Sequence, residues 1–400
     1  MKGSPGKKVL IIVENLPLPF DRRVWMESNT LTSVGYQVSI ICPKGKGYDK
    51  SYECINGIHI YRHNLPPEHS SALGYIREYL YALYHEFRLA VKIKKKHDFN
   101  IIQLCNPPDI LFLVTLWFKL LYSVKVIFDH HDLNPELYES KFHKRGFFYK
   151  ALKIAERLTF KTADLVISTN ESYKEVAIKR GKKEPSKIHV VRSGPDLEKF
   201  KKVSENADYK KGKKYLVGYL GVMGEFDGVD YLINAVDKIV NEKNVRDIQF
   251  CLIGSGPCFD DLNKMVDNLH LNEYVDFTGR VSDEELIARL SSCDVCVNPD
   301  PVNPLNDKST MNKILEYMAL SKPIVQFDVL EGRRSALEAS WYAKPDDVND
   351  FTNKIVDLCF ADDSVKSRMG EFGYNRMKNE LEWKYQSKKL IDAYQSLGIV

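Results

Sequence analysis

Short runs of branched and aromatic residues recur along the first half of the chain. They are VLIIV at 9–13, QVSIICP at 37–43, IHIYRH at 58–63, NIIQL at 100–104, KVIFDH at 125–130, LVIST at 165–169 and IHVVRS at 188–193. Stretches with helical spacing, such as 148–162, separate many of them. Apolar runs that do not alternate, joined by helices, describe parallel strands buried on both faces. Charge and polarity break the pattern at KKVSENADYKKGKK, residues 201–214, as a linker would. The alternation then restarts with YLVGYLG, IQFCLIG, YVDFTG, VCVNP and PIVQFD. The pattern predicts an α/β chain of two doubly wound parallel-sheet domains, over 1–200 and 215–380, facing each other across a cleft. Residues 381–400 are expected to form a helix returning to the N-terminal domain. The longest apolar stretch, ILFLVTLWFKLLY at 110–122, is interrupted by Lys119 and too short to span a bilayer. It reads as a buried helix, with a lipid-facing helix as the alternative.

Length and charge refine this picture. Four hundred residues exceed one ordinary core, in keeping with two domains. The net charge of +4 hides an asymmetry: residues 1–200 hold 32 Lys/Arg against 21 Asp/Glu, and residues 201–400 hold 26 against 33. A basic first half suits a polyanion or an anionic membrane surface, although solvated helix faces account for much of it. No aromatic interleaving or reader motif supports nucleic acid. The opening MKGSPGKK leads straight into a strand, without the pattern of a signal peptide. Of eight cysteines, Cys293 and Cys296 make one CxxC without a second pair, which argues against zinc. Others lie in apolar strands, and the reading is a reduced, cytoplasmic chain.

Ligands of open α/β sheets bind beyond the carboxyl ends of the strands, and candidate chemistry collects there. After VCVNPDP comes VNPLNDKSTMNKILEYM. Ser309 or Thr310 is the expected N-cap, so that backbone N–H groups around Met311 and Asn312 face an anion and Lys313 adds a full charge. Glu316 follows on the same helix face, placed to bind sugar hydroxyls. The alternative is a surface Lys–Glu pair behind an ordinary cap. The second cluster is FDHHDLNPE at 128–136, after the strand KVIFDH. A histidine there can exchange hydrogen bonds with a sugar hydroxyl, oriented by a neighbouring carboxylate. His131 with Asp132 is the favoured pair, and His130 is the alternative register.

These segments resemble the retaining GT-B glycosyltransferases of family 4. The 313–324 stretch, KILEYMALSKPI, is similar to the family's donor-binding helix, with Ser321 where glycine is usual. DRRVWMESNTLTSVGYQVSIICP, VIFDHHDLNPELY, ESYKEVAIKRG, VVRSGPDLEKF and GSGP with VDFTGRVSDEELIARLSSCDVCVNP follow in the family's order. The resemblance implies two Rossmann-like domains and transfer of a hexosyl or N-acetylhexosaminyl group, with retention and without a required metal or cofactor. It implies a UDP-type nucleotide-sugar donor, and a glycan or lipid-linked acceptor in surface-polysaccharide assembly at the inner face of the membrane. By the same resemblance His131 lies under the donor sugar, Glu316 holds the ribose, and the main chain of Arg280 and Val281 meets the base. Glu331 and Arg333, in the loop after PIVQFD, stand where the donor sugar could reach, with a loop salt bridge as the alternative.

The departures matter equally. The family's pair of glutamates keeps its second member at Glu316, but position 308 is lysine, beside Asp307. Asp307 and Lys308 are therefore candidates for the donor-sugar side. The arginine and lysine that many members carry fall on Val222 and Asp227. Arg22 and Arg23 of the opposing domain are the expected replacements, unless DRR is only a helix start with surface arginines. Two other classes remain: a nucleotide-sugar epimerase of the same fold, and a membrane-docked binding subunit without catalysis. A nicotinamide oxidoreductase is disfavoured, because GVMGEFDG has the wrong spacing for its glycine fingerprint.

Overall fold

The computed structural model describes residues 7–65 and 72–398. The chain divides into two units, one of Met1–Ser193 with Gln386–Val400 and one of Gly194–Tyr385.

The first unit holds β1 (Lys8–Val13), β2 (Gln37–Pro43), β3 (Tyr52–Ile55), β4 (Ile58–His63), β5 (Ile101–Cys105), β6 (Lys125–His130), β7 (Leu165–Ser168) and β8 (Ile188–Val190). Their order is β3-β4-β2-β1-β5-β6-β7-β8. All pairs are parallel except β3 with β4. The second unit holds β9 (Tyr215–Leu220), β10 (Ile248–Ile253), β11 (Val275–Gly279), β12 (Val295–Asn298), β13 (Ile324–Phe327) and β14 (Ser340–Ala343), in the order β11-β10-β9-β12-β13-β14. Helices cover the faces, so the strand runs that lack alternation are the ones buried throughout, such as Val9–Val13 and Ile248–Ile253. Two strands escape the sequence pattern. β3 is a short edge strand of alternating exposure, and β14 carries only four residues.

Chain order reverses between β1 and β5 in one sheet and between β9 and β12 in the other. At these switch points the helices leave the sheet on opposite sides, opening a crevice at the strand ends.

Two expectations need correction. The 201–214 run belongs to the second unit and is not a free linker. Its backbone is stitched down: Val203 N donates to Ser291 Oγ at 3.1 Å and Asn206 N to Ser292 Oγ at 2.9 Å, while Lys210 pairs with Asp294. Lys211 and Lys213 are paired as well, with Asp276 and Glu273. The 110–122 stretch forms the helix Phe112–Tyr122, which is only half buried. Phe112, Val114, Thr115 and Phe118 face the core, and Leu113, Leu116, Trp117, Leu120 and Leu121 face outward. No helix among the described residues is long and apolar enough to cross a membrane. All eight cysteines are free.

Candidate functional site

In the first unit, strand geometry decides which histidine matters. Successive side chains of β6 alternate between faces. Phe128 and His130 point one way, with ring centroids 5.2 Å apart, into a pocket closed by Phe160 and Tyr173. Burial pushes His130 down to about 3, so this is a neutral packing residue and the alternative register falls away. Asp129 and His131 share the other face.

His131 Nε2 lies 2.6 Å from Asp129 Oδ2. Asp129 is thus the orienting carboxylate, rather than the adjacent Asp132. Asp132 instead offers its carbonyl to Asn106 Nδ2 at 2.7 Å, and Asn106 Oδ1 accepts from His131 N, fixing the turn after β6. Nε2 is also 3.0 Å from Arg23 Nε. Both contacts fall on Nε2, where the carboxylate accepts from a protonated ring and the guanidinium N–H donates to a neutral one. Burial disfavours the imidazolium, but the charge and hydrogen bond of Asp129 outweigh it and hold His131 above its ordinary value.

Arg23 underlies this pair. Asp21 caps the helix Arg22–Ser33 by accepting from Val24 N, which turns Arg22 outward and Arg23 inward. The Arg23 guanidinium donates to Asp129 at 2.8 Å, Val191 O at 2.9 Å and Ser193 Oγ at 3.0 Å, and sits 3.1 Å from Glu27. The arginine expected to neutralise donor phosphate is therefore committed inside its own unit. Gln103 Nε2 bridges Glu27 and Asp129, while Tyr394 of the C-terminal helix donates to Gln103 Oε1. Burial, and then the charge of Asp129, push Glu27 up to about 8. Cys105, Asp129 and His131 bring ligand-type atoms within 4.8 Å of one another, yet Arg23 already neutralises the carboxylate a cation would need. Sequence reasoning missed Glu27, Gln103 and Asp129. For Asp129 the signal was present, since residues two apart share a strand face.

The second unit gathers its candidates at the β9/β12 switch point. The helix Asn312–Ala319 is capped by Met311 in extended conformation, one residue after Thr310 and two after Ser309, and without a side-chain cap. Ser309 Oγ turns back to Leu305 O at 2.8 Å. Lys313, in the first turn, is buried and donates to Asp300 Oδ1 at 2.9 Å, with its ammonium 4.9 Å from the centre of the Tyr219 ring. Burial would discharge it, but Asp300, then Tyr219 and Asp227, hold it charged. The expected lone cation is thus half of an ion pair, with a second acid, Asp227, near it. Glu316 follows one turn on, half-buried.

Two glycines let the strand-end loops meet backbone to backbone. Gly254 has φ +132°, and a Cβ there would lie 1.9 Å from Gly221 O; one on Gly256 would lie 2.6 Å from Met223 O. Arg280 is exposed and Val281 half-buried after β11, where Gly279 O accepts from Gly254 N. Ser321 adopts φ +56° just beyond the Lys313 helix, the left-handed position that favours glycine.

The remaining donor-sugar candidates have other tasks. Asp307 Oδ1 accepts from Leu330 N and its carbonyl accepts from Glu331 N, holding the start of the helix Leu330–Ala336. Glu331 and Arg333 therefore lie on a helix, not a loop. Glu331 is buried and bonded to Arg334 at 2.8 Å, and exposed Arg333 forks onto Asp328 at 2.7 and 2.6 Å. Lys308 is half-buried in the loop before the Lys313 helix.

The chain matches the family described as Glycosyltransferase Family 4 over residues 21–199, and that described as Glycosyl transferases group 1 over 214–360. It belongs to the family 4 glycosyltransferases. The fold of this family 4 protein is GT-B. Sucrose-phosphate synthase of Thermosynechococcus elongatus superposes with a TM-score of 0.81 at 18% identity, covering 98% of this chain and 99% of that one. Anabaena Alr3699/HepE, solved with UDP and glucose, gives 0.73 at 14% identity over 98% and 100%. An uncharacterised glycosyltransferase, MJ1069 of Methanocaldococcus jannaschii, is 23% identical over 269 residues, 65% of each chain. The alpha-D-kanosaminyltransferase of Streptomyces kanamyceticus is 25% identical over 190 residues, 46% of each. These matches span less than two thirds of either relative's length.

Proposed function

We propose that this family 4 protein transfers a hexosyl or N-acetylhexosaminyl group, with retention, from a nucleotide-diphosphate sugar to a glycan or lipid-linked acceptor. The observation that carries the reading is Lys313. It stands charged in the first turn of a helix at the switch point of the second sheet, with Glu316 one turn on. Helix N–H groups and a fixed ammonium stabilise a leaving diphosphate where its charge develops. His131, held by Asp129, is the group for the sugar side. The HepE structures with UDP, with UDP and glucose and with UDP-glucose support a UDP-linked donor. Chitobiosyldiphosphodolichol beta-mannosyltransferase of Candida albicans, 24% identical over 247 residues, supports a lipid-linked acceptor. The same acceptor class, and the outward apolar stripe of Phe112–Tyr122, support surface-glycan assembly at the inner membrane face as its setting.

The Lys313–Asp300 pair also favours a second reading, a binding subunit that holds the nucleotide without turnover. A panel of nucleotide sugars, followed by thermal shift and by release of nucleoside diphosphate, decides the matter, because a bound donor raises stability by mass action. Stabilisation with acceptor-dependent release supports transfer. Stabilisation without release makes the chain a binding subunit, and no stabilisation by any donor overturns both readings.

A further inference from the structure

The first unit carries a cavity of about 240 Å³ that the reaction described above does not use. Among the described residues nine line it; six are basic, namely Lys44, Arg62, His63, His85, Arg88 and Lys92, and none of the nine is acidic. Three parts of the fold supply them. Lys44 follows β2, Arg62 and His63 end β4, and the other three come from the helix Ala72–Lys96. Lys44, Arg62 and His63 therefore stand at the carboxyl ends of parallel strands, at the same end of the sheet as His131 after β6.

The groups differ in what they can offer. Arg62 is largely committed, bonded to Lys50 O at 3.0 Å, to Leu18 O at 2.6 Å and to Glu53, so it supplies fixed charge and few free donors. His85 stands 6.3 Å from the His63 ring, stacked with it. Arg88 and Lys92 are exposed at the rim, with Lys92 5.7 Å over the Tyr61 ring. His63 is the telling residue. It is almost wholly buried; Nδ1 bonds to Asn64 O at 3.1 Å, and buried Nε2 has no hydrogen-bond partner among the described residues. With Nδ1 donating, neutral Nε2 is a bare acceptor among cations, an arrangement that costs free energy unless a ligand completes it.

We infer that this cavity binds a phosphate or diphosphate group, which completes the buried histidine and shares the rim cations. A dianion with several acceptor oxygens matches this surplus of donors better than a single carboxylate does. Strands lie about 4.8 Å apart, which puts the ends of β2 and β4 roughly 15–20 Å from the end of β6. The bound phosphate is therefore a remote handle on an acceptor, distant from the reacting hydroxyl. This rests on the transferase reading for its purpose, while the binding itself is measured without any donor. The source is either a diphosphate within the acceptor or free phosphate.

Proton linkage gives a signature. Burial, and further the neighbouring His85, hold empty His63 below its ordinary value, so it is neutral near pH 7. Lys44, Arg62, Arg88 and Lys92 add positive charge of the same sense. A bound dianion favours the imidazolium, whose Nε2–H then donates, so the histidine takes up a proton on binding, beside any proton that the phosphate itself gains or loses.

The test is calorimetric titration of the whole chain with inorganic phosphate, inorganic pyrophosphate and a short prenyl diphosphate, at pH 6 and pH 8 in two buffers of different ionisation heat. We expect the diphosphates to bind with more proton uptake in the wild type than in His63→Gln, a difference in which the ligand's own ionisation cancels. Arg88→Ala with Lys92→Ala should weaken them at least tenfold, and equal proton uptake in wild type and His63→Gln would remove the histidine from the site. Tighter binding of the prenyl diphosphate than of pyrophosphate identifies the acceptor as source; equal affinities identify free phosphate. If Lys313→Ala removes the signal while the rim variant keeps it, the anion sits in the other unit and the proposal is overturned. Binding unchanged in the rim variant, or absent in the wild type, overturns it as well.

Discussion

Asp129 Oδ2 lies 2.6 Å from His131 Nε2, the carboxylate on the strand Lys125–His130 and the imidazole on the first residue beyond it. That contact assigns the orienting role to a carboxylate two residues before the histidine. His131→Ala should therefore cut turnover about a hundredfold, a typical loss for a positioned acid–base group, while nucleoside diphosphate affinity stays near that of the wild type. Asp132→Ala should cost far less. Steady-state kinetics beside nucleotide titration checks both, and equal loss of affinity and turnover in His131→Ala would make the residue structural.

The same pair has a pH signature. The native His131 value is raised, so its stabilising contribution is fully present below the unfolded value near 6.5 and is lost as pH rises through the native one. Asp129 is lowered against opposing burial by Arg23 and then His131, so its share is present above about pH 4 and lost in acid. The excess stability of the wild type over His131→Gln should be greatest between those limits and shrink as pH rises through the raised native value. Urea unfolding at several pH values measures it. A difference independent of pH would mean the pair is not charged in the native state.

Arg22 and Arg23 should separate cleanly. Removing one partner of a buried ion pair costs about 3–5 kcal/mol, so Arg23→Met should lower the urea midpoint sharply by stranding Asp129. Arg22 is exposed, and Arg22→Ala should leave stability within about 0.5 kcal/mol of the wild type. Comparable midpoints for the two variants would refute the distinction.

Most of the strands and their parallel pairing were legible because fully buried strands write themselves as unbroken apolar runs. The exceptions have physical reasons. β3 shows solvent on alternate positions, and β14 is an edge strand, SWYA, whose two central residues are half-buried, so neither forms an unbroken apolar run. Lys313 and His131 could be picked out, since each stands at a strand or helix end where chemistry collects. Their partners could not be paired from spacing alone. Asp300 meets Lys313 across 13 positions, and Arg23 meets Asp129 across 106. Such contacts depend on strand order, which periodicity does not contain. The half-exposed helix Phe112–Tyr122 was misread for a related reason, because a run that is apolar all round gives no sign of which side lacks a cover.

Lys313 and Asp300 make opposite predictions for donor binding. Lys313→Ala removes a charge-assisted bond of about 1.5–3 kcal/mol and should weaken nucleoside diphosphate at least tenfold. Asp300→Asn keeps the shape, frees the ammonium and removes an acid from the phosphate site, so affinity should rise. Titration of both folded variants tests this. Weaker binding in Asp300→Asn would mean the carboxylate orients the lysine for the ligand and does not compete for it.

The outward stripe of Phe112–Tyr122 should seat the protein on anionic lipid. Leu113, Leu116, Trp117, Leu120 and Leu121 recur at helical spacing on the exposed side, with Leu120 73% exposed. The neighbouring helix Phe147–Thr162 adds exposed Phe147, Ile154 and Leu158 among Lys150, Lys153, Arg157 and Lys161, and its one acid, Glu156, is buried. Lys119 ties the two helices together by donating to Thr162 O at 2.7 Å. A second copy would bring two basic faces together, whereas an anionic bilayer complements the charge and accepts the leucines. Each lysine near such a surface adds about 1 kcal/mol, so several acting with the apolar stripe suffice for reversible docking. The wild type should co-sediment with vesicles of phosphatidylcholine and phosphatidylglycerol, more weakly at raised salt and least with phosphatidylcholine alone. Leu120→Ser with Leu121→Ser should lose binding at least tenfold without unfolding, because both side chains already face water. Binding that ignores lipid charge and the double substitution would refute docking through this face. Self-association abolished by the same substitutions, without vesicle binding, would make the stripe a contact between copies.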